Sequence, residues 1–159
     1  MLLAFGTRDY TSGMKQPTKI HGRPTFLQLR KLETEITVNA ANIQCDEGGG
    51  AHGYSGLIKS PAKYATIAPG TPFVMPVQPG ILQIPANTTG HESFRLQQEH
   101  LLQVDKFKEA REVKKALGMM IKNAIDNEYL VEFLDTTTYL INKPLYEVLE
   151  TLYDQYGQV

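Results

Sequence analysis

The sequence contains few of the residues from which metal sites and disulfides are built. Its 159 residues include one cysteine, Cys45, and four histidines. A single thiol excludes an internal disulfide and any zinc site made of several cysteines, and it is typical of a reducing compartment. None of the histidines stands at a familiar metal-ligand spacing from another histidine, the cysteine or a carboxylate. We therefore expect neither a metal nor another cofactor.

Long apolar runs and an excess of one charge are also missing. The chain has no run of about 18 apolar residues, which a membrane-spanning helix needs, and its apolar start at residues 1–5 is too short for the core of a signal peptide. Lysine and arginine number 16 and aspartate and glutamate 17, so the formal net charge is −1. That balance opposes nucleic-acid binding driven by bulk phosphate attraction. We expect a cytoplasmic protein without a membrane partner.

Glycine and proline, which interrupt regular elements, are concentrated before residue 91. Eleven of the 13 glycines and eight of the nine prolines lie there. The first 90 residues should therefore hold short elements joined by irregular chain, whereas residues 91–159 can be almost entirely helical. The two parts carry net charges of +3 and −4, which either help copies to meet head to tail or are two solvated faces of one domain. The composition predicts a mainly α fold.

Five helices are predicted, of which a short one, capped by Asp126 or Asn127, would hold Tyr129, Leu130, Phe133 and Leu134. The other four have these starting signals. Capping residues or prolines stand at Pro24-Thr25, Ser60-Pro61, Thr88-Thr89 and Asn142-Lys143-Pro144. The first helix should run for about 18–20 residues and end at the glycines 48–50. In the third, Glu92 stands three residues after Thr89 and completes a capping-box pattern. Residues 1–23 show no periodicity, so we predict an extended arm at 1–23 and a single domain at 24–159.

Residues 69–88 form a proline-rich loop. They hold five prolines, a density that excludes a helix. Two apolar groups flank Gln78-Pro79-Gly80, and Pro-Gly suits the centre of a type II turn. This pattern favours a small β-hairpin at 72–85, which proline would limit to edge-like pairing. A loop of this length inside a compact domain is often functional. Its apolar residues either fold back on their own core or dock on a neighbour.

The glycine-rich segment 48–56 comes nearest to a catalytic or nucleotide-binding motif. No Gly-Lys-Ser/Thr follows it, so the phosphate-loop pattern is not met, and Leu57 breaks the Gly-x-Ser-x-Gly pattern around Ser55. The segment is more typical of a tight linker where two helices pack closely. A hydrolase that uses Ser55 or Cys45 with His52 would need these residues to meet in the fold. We therefore do not expect an enzyme.

Several short segments of the sequence occur together in an order that resembles a known family. They are Pro17–Thr25, Gly48–Ile58, Ser60–Tyr64, Thr71–Val74, Pro79-Gly80 and Leu149–Gly157. In this order they resemble the N-terminal part of Gag-like proteins from copia-type long-terminal-repeat retrotransposons, especially the group found in diatoms and other algae. The resemblance covers residues 17–159, which is nearly the whole chain.

This resemblance implies a mainly helical, capsid-type lobe and a subunit that assembles into virus-like particles. Many Gag proteins bind RNA through a Cys-Cys-His-Cys zinc knuckle, which a sequence with one cysteine lacks. RNA is therefore expected as a partner only through the assembled particle. We interpret the chain as a self-assembling structural protein whose main partner is another copy of itself. The alternative is a monomeric adaptor domain that binds a protein partner through loop 69–88.

The contacts of such an assembly are predicted in the irregular parts of the chain. A self-assembling subunit combines a rigid helical body with an extended arm and an apolar loop that reach its neighbours. On this hypothesis the arm 1–23 and the loop 69–88 carry the intersubunit contacts. The predicted interface residues are Phe5, Tyr10, Phe73, Val74, Met75, Val77, Ile81 and Leu82.

Overall fold

A computed structural model describes residues 13–43 and 52–157 of the chain. In these ranges there are four α-helices: α1 Phe26–Ala41, α2 Pro61–Ile67, α3 Gly90–Ala124 and α4 Leu145–Tyr156. Single 3₁₀ turns lie at Ser55–Leu57, Asn127–Tyr129 and Val131–Phe133. The described chain has no strand, only an isolated antiparallel bridge between Leu134 and Ile141. The prediction of a mainly α fold is confirmed.

Helix α1 begins where the sequence predicts because Thr25 and Gln28 form a capping box. The Thr25 side chain accepts a hydrogen bond from the Gln28 amide, and the Gln28 side chain accepts one from the Thr25 amide. These two bonds satisfy amides that the start of a helix leaves open. The helix has 16 residues and ends at Ala41, so it is shorter than expected. The glycines 48–50 lie outside the described residues.

The core forms where α1 packs against α3 and α4. Helix α1 buries Leu29, Leu32 and Ile36 completely. They meet side chains from the second part of α3 and from α4 that are also fully buried: Ala110, Val113, Leu117, Ile121, Val148 and Leu152. Each large apolar side chain buried in this way stabilises the fold by about 1.5–3 kcal/mol relative to exposure.

The described part of the predicted arm, residues 13–23, has no helix or strand and lies against its own domain. Ile20 is buried, and its amide donates to the Ala124 carbonyl at the end of α3 (2.7 Å). The Asn39 side chain accepts from the Lys15 amide at 3.0 Å and donates to the Lys15 carbonyl at 2.7 Å. These contacts attach residues 15–20 to α1 and α3 of the same chain. Residues 1–12 lie outside the described residues.

The hairpin favoured at 72–85 is not formed. The segment contains no strand and runs as irregular chain with a turn at residues 86–87. Proline has no amide hydrogen, so the prolines at 72, 76, 79 and 85 remove donors that a two-stranded ladder would use. The Pro-Gly pair can reverse the chain, but the flanking residues do not pair.

Helix α3 is a single element of 35 residues that continues through Gly118. The Thr89 side chain caps it by accepting a hydrogen bond from the Glu92 amide at 3.1 Å. The Glu92 carboxylate pairs with Arg95, so only one of the two bonds of the predicted capping box is present. None of the described helices combines the length and the apolar character needed to cross a membrane.

Candidate interaction surface

A long part of the chain buries none of its side chains. From Val77 to Glu109 no residue is buried, and Ala110 is the first residue of α3 that reaches the core. The part of α3 before Ala110 extends for about 30 Å, because a helix rises 1.5 Å per residue. We call residues 77–109 the projection. It consists of the proline-rich limb 77–89 and the first part of α3.

Polar contacts hold the two limbs of the projection together and attach it to the body. The His100 Nε2 atom donates to the Gly80 carbonyl oxygen at 2.9 Å, so residues 78–81 lie beside the middle of the helical limb. At the foot of the projection, the Tyr54 hydroxyl donates to the Glu109 carboxylate at 2.8 Å. The proline-rich limb is therefore positioned along α3 and has a defined place on the molecule.

The proline-rich limb of the projection and the residues leading into it carry no charges, whereas the helical limb combines exposed apolar side chains with seven charged ones between Glu92 and Glu109. No Asp, Glu, Lys or Arg occurs between Tyr64 and His91. Large apolar side chains here are 41–88% exposed: Val74, Val77, Ile81, Ile84, Phe94, Leu101 and Leu102. Exposed apolar side chains gathered in this way mark an interaction site more often than a solvated surface.

Several predicted interface residues of the loop are on the surface. Ile81 is 88% exposed and Val77 is 78% exposed, while Val74 is exposed nearer the body. We call residues 78–81 the tip of the loop; it lies beside the middle of the helical limb and not at the far end of the projection. Leu82 is half-buried. Their role in an interface stays a prediction. Two further predicted residues, Phe5 and Tyr10, lie outside the described residues.

The first residues of the loop fold back on the domain. Phe73 and Met75 pack against the core cluster. The Phe73 ring lies 6.2 Å from the ring of Tyr54 and 6.0 Å from that of Tyr64, both in edge-to-face arrangements. The start of the loop therefore folds back on its own core, which is one of the two alternatives that the sequence left open. Further along the loop, Val77 and Ile81 stay exposed within the described part of the chain.

The exposed residues of the helical limb were not identified as interface candidates from the sequence. Phe94 and Leu101 have helical spacing, which is equally typical of a core stripe. Periodicity reports that a helix has an apolar face, but it does not report whether the same chain covers that face. Phe94 and Leu101 precede Ala110, the first core residue of α3, by about 24 Å and about 14 Å along the helix. This separation from the core distinguishes an interface from a core stripe, and it is visible only in the fold.

An apolar cavity of about 340 Å³ opens on the body beside the start of the loop. Residues that line it include Leu57, Tyr64, Ala65, Ala68, Phe73 and Tyr146. Lys114 of α3 also lines it, and it follows His100 by 14 residues, which is about 21 Å along the helix. Because residues 78–81 lie beside His100, the tip of the loop does not fill the cavity of its own chain.

A polar network joins α1 and α4 near this cavity. Glu33 accepts hydrogen bonds from the Lys59 ammonium at 3.2 Å and from the Tyr153 hydroxyl at 3.4 Å. Burial and, next, the charge of Glu33 raise the pKa of Tyr153. The hydroxyl therefore remains protonated and serves as a donor. This arrangement positions α4 against α1.

The residues considered for a hydrolase do not form a catalytic arrangement in the described structure. Ser55 is 2% exposed, and its Oγ atom has no hydrogen-bond partner. A nucleophilic serine needs a base within hydrogen-bond reach. The His52 ring instead packs edge-on against Tyr64, with the centroids 6.1 Å apart. Cys45 lies outside the described residues, and within 13–43 and 52–157 no three His, Cys, Asp or Glu residues could hold a metal ion.

Comparison with known proteins adds no family to these observations. The chain matches no protein-family model, no curated protein and no solved structure. Its function is therefore inferred from the projection, the cavity and the charges around them.

Proposed function

We propose that this chain is a self-assembling structural subunit of the Gag-like, capsid type, and that the projection contacts a second copy. The observation that carries the proposal is the run from Val77 to Glu109, in which no side chain is buried although several are large and apolar. A partner that covers these side chains would complete the fold of the projection.

The energetics of the projection support a partner. Fixing the backbone of one residue costs about 1–2 kcal/mol, and burial of apolar surface is the main term that offsets this cost. The projection orders its residues while Ile81, Phe94 and Leu101 stay in water. Each square ångström of apolar surface that a partner covers would contribute about 25 cal/mol.

The chemistry of the chain itself supports a second copy as the partner. The proline-rich limb carries no charge, so its burial incurs no cost of desolvating an ion. The cavity on the body is apolar like this limb, and it is out of reach of the loop tip of its own chain. The tip around Ile81 of one copy would enter the cavity of the next. Such a head-to-tail contact uses two different surfaces, and it closes into rings or continues into larger assemblies.

Sedimentation velocity of the full chain tests this proposal over concentrations from about 10 μM to about 1 mM. We expect the wild-type protein to associate increasingly with concentration. Ile81→Asp should raise the dissociation constant by at least about tenfold, because association would bury a carboxylate without a partner. The matched control is Gln83→Asp, which adds the same charge at an exposed polar position of the same limb.

Two results would contradict the proposal, the first by excluding self-assembly and the second by excluding the apolar Ile81 side chain as the basis of the contact. One is a wild-type chain that stays monomeric throughout this range, which would favour the adaptor that binds a different protein through loop 69–88. The other is equal weakening by Ile81→Asp and Gln83→Asp, which would show that added charge acts without regard to the apolar tip. Negative-stain microscopy of the associated material would distinguish shells from filaments.

A further inference from the structure

A second pocket, of about 250 Å³, lies between the second part of α3 and the segment 140–145. Four cationic side chains line it: Arg111, Lys114, Lys115 and Lys122. No carboxylate does, and the rest of the lining is apolar apart from Gly118. We call this the cationic pocket. We infer that it binds a small organic phosphate, and the inference does not depend on the proposed assembly.

The cations converge because of helical spacing. Arg111, Lys115 and Lys122 follow one another at intervals of four and seven residues, which places them on one face of α3. Lys114 enters the pocket from the adjacent face. Like charges at such spacings repel one another on a helix. An anion placed among them would relieve that repulsion.

The cations of the pocket are not neutralised within the described part of the chain. None of the four forms a salt bridge there, whereas Lys19, Lys59 and Arg95 each do. Lys122 donates to the Tyr139 carbonyl oxygen at 2.6 Å. Its ammonium also lies 5.7 Å from the centre of the Tyr139 ring. Carbonyl and ring orient this cation but leave its charge uncompensated.

The glycine at position 118, inside α3, is further evidence that the cationic pocket binds a ligand. Glycine inside a helix is less stable than alanine by about 0.5–1 kcal/mol, so it usually has a reason. Packing does not supply one here, because an added Cβ atom would only touch the Leu145 Cδ2 atom at 3.7 Å, an ordinary contact. The missing side chain instead leaves space in the lining of the pocket, where a ligand can approach the helix backbone.

The lining specifies the ligand class. The guanidinium of Arg111 can bind a phosphate with two parallel hydrogen bonds, and lysines add point charges. Met119, Leu140 and Ile141 line the same pocket, and they would contact an apolar or aromatic carrier of the phosphate. A cavity of about 250 Å³ suits a molecule the size of an aryl phosphate. The inferred ligand is therefore a phosphate monoester on an apolar group.

Isothermal titration of the full chain tests the site, with phenyl phosphate, inorganic phosphate and phenol as probes. We expect phenyl phosphate to bind more tightly than either of the other two, because it alone satisfies both the cations and the apolar lining. Lys114→Gln and Lys115→Gln should each raise the dissociation constant for phenyl phosphate by about tenfold, since each removes a charge-assisted contact. Lys31→Gln is the matched control, because Lys31 is an exposed lysine of α1 outside the pocket.

Three outcomes would overturn the inference. The first is no binding of phenyl phosphate, and the second is equal weakening by Lys31→Gln and by the pocket variants. The third is tighter binding of a short single-stranded RNA than of phenyl phosphate, weakened by the same pocket variants, which would assign the cations to a nucleic-acid backbone. Thermal unfolding of each variant verifies that it folds. Lys114 also lines the apolar cavity, whereas Lys115 does not, so Lys115→Gln and sedimentation of the same samples keep the result separate from self-assembly.

Discussion

Two glycines with left-handed backbone, Gly53 and Gly70, stand in opposite surroundings. Gly53 has a φ of +54°, and a Cβ atom added to it would lie 2.3 Å from the Ile43 carbonyl oxygen and 2.6 Å from that of Ala41. Gly70 has a φ of +79°, and an added Cβ atom would meet nothing within 4 Å. At Gly70 only the backbone conformation favours glycine. At Gly53 both the conformation and the close approach to the end of α1 require it.

The two alanine variants should therefore differ in stability. Gly70→Ala is expected to lower the free energy of unfolding by about 1–2 kcal/mol, the cost of a left-handed residue with a side chain. Gly53→Ala should cost at least about 3 kcal/mol, because the colliding atoms belong to the backbone at the end of α1 and just after it and cannot move independently. Chemical denaturation of the two variants measures the difference. Equal losses would mean that the approach of Gly53 to α1 is not as close as described.

The sequence predicts that the segment 48–56 needs glycine, but it does not predict which of these glycines the fold requires. The glycine-rich segment 48–56 indicates a tight linker, and Gly53 indeed lies close to α1. Nothing in the run of glycines distinguishes Gly53 from Gly56, where an added Cβ atom would collide with the Phe73 side chain. That distinction depends on residues far away in the sequence.

Among the elements, the segment 13–23 is attached to the end of α3 by Asp126. The Asp126 carboxylate accepts a hydrogen bond from the Gly22 amide at 3.1 Å and pairs with the Lys19 ammonium at 3.3 Å. The Gly22 hydrogen bond and, next, Lys19 hold the pKa of Asp126 below its ordinary value. A carboxyl group with a lowered pKa stabilises the fold above its unfolded pKa, and the contribution is lost as the pH falls through the folded pKa.

Asp126→Asn should therefore reduce the acid sensitivity of folding. The asparagine oxygen still accepts from Gly22 but carries no charge for Lys19. We expect the stability of the wild type to fall more steeply than that of the variant below about pH 4, the ordinary value for aspartate. Urea unfolding at several pH values measures both curves. Glu147→Gln, at an exposed position of α4, is the control, and parallel curves for the wild type and Asp126→Asn would contradict the role of Asp126.

Helix starts were the part of the fold that the sequence predicted best. Thr25, Ser60 and Thr89 cap helices through bonds to amides three residues away, so the information is local. The prediction of a hairpin at 72–85 was wrong. Pro-Gly favours a turn, but it does not guarantee that the residues on either side have amide hydrogens with which to pair. The docking of residues 13–20 on α1 and α3 was not predicted, because it depends on partners distant in the sequence.

In the whole molecule, the exposed apolar residues of the projection and the apolar cavity allow two arrangements of neighbouring copies. If the tip of one copy enters the cavity of another, the contact is heterologous, and each subunit offers one tip and one cavity. If two projections pair with each other, the contact is isologous and the cavity takes no part. The apolar character of both surfaces fits the first arrangement, and so does the distance of about 21 Å that separates them along α3.

Mixing two variants separates these arrangements. Ile81→Asp removes the tip and keeps the cavity, whereas Ala65→Trp places a large ring at the cavity, on an exposed position of α2, and keeps the tip. In the heterologous arrangement each variant alone stays monomeric. An equimolar mixture forms dimers and stops there, because one intact tip meets one intact cavity and no further contact is available. Native mass spectrometry would detect this dimer. In the isologous arrangement Ala65→Trp associates by itself and Ile81→Asp gains nothing from it, so that outcome would replace the head-to-tail contact with a symmetric one.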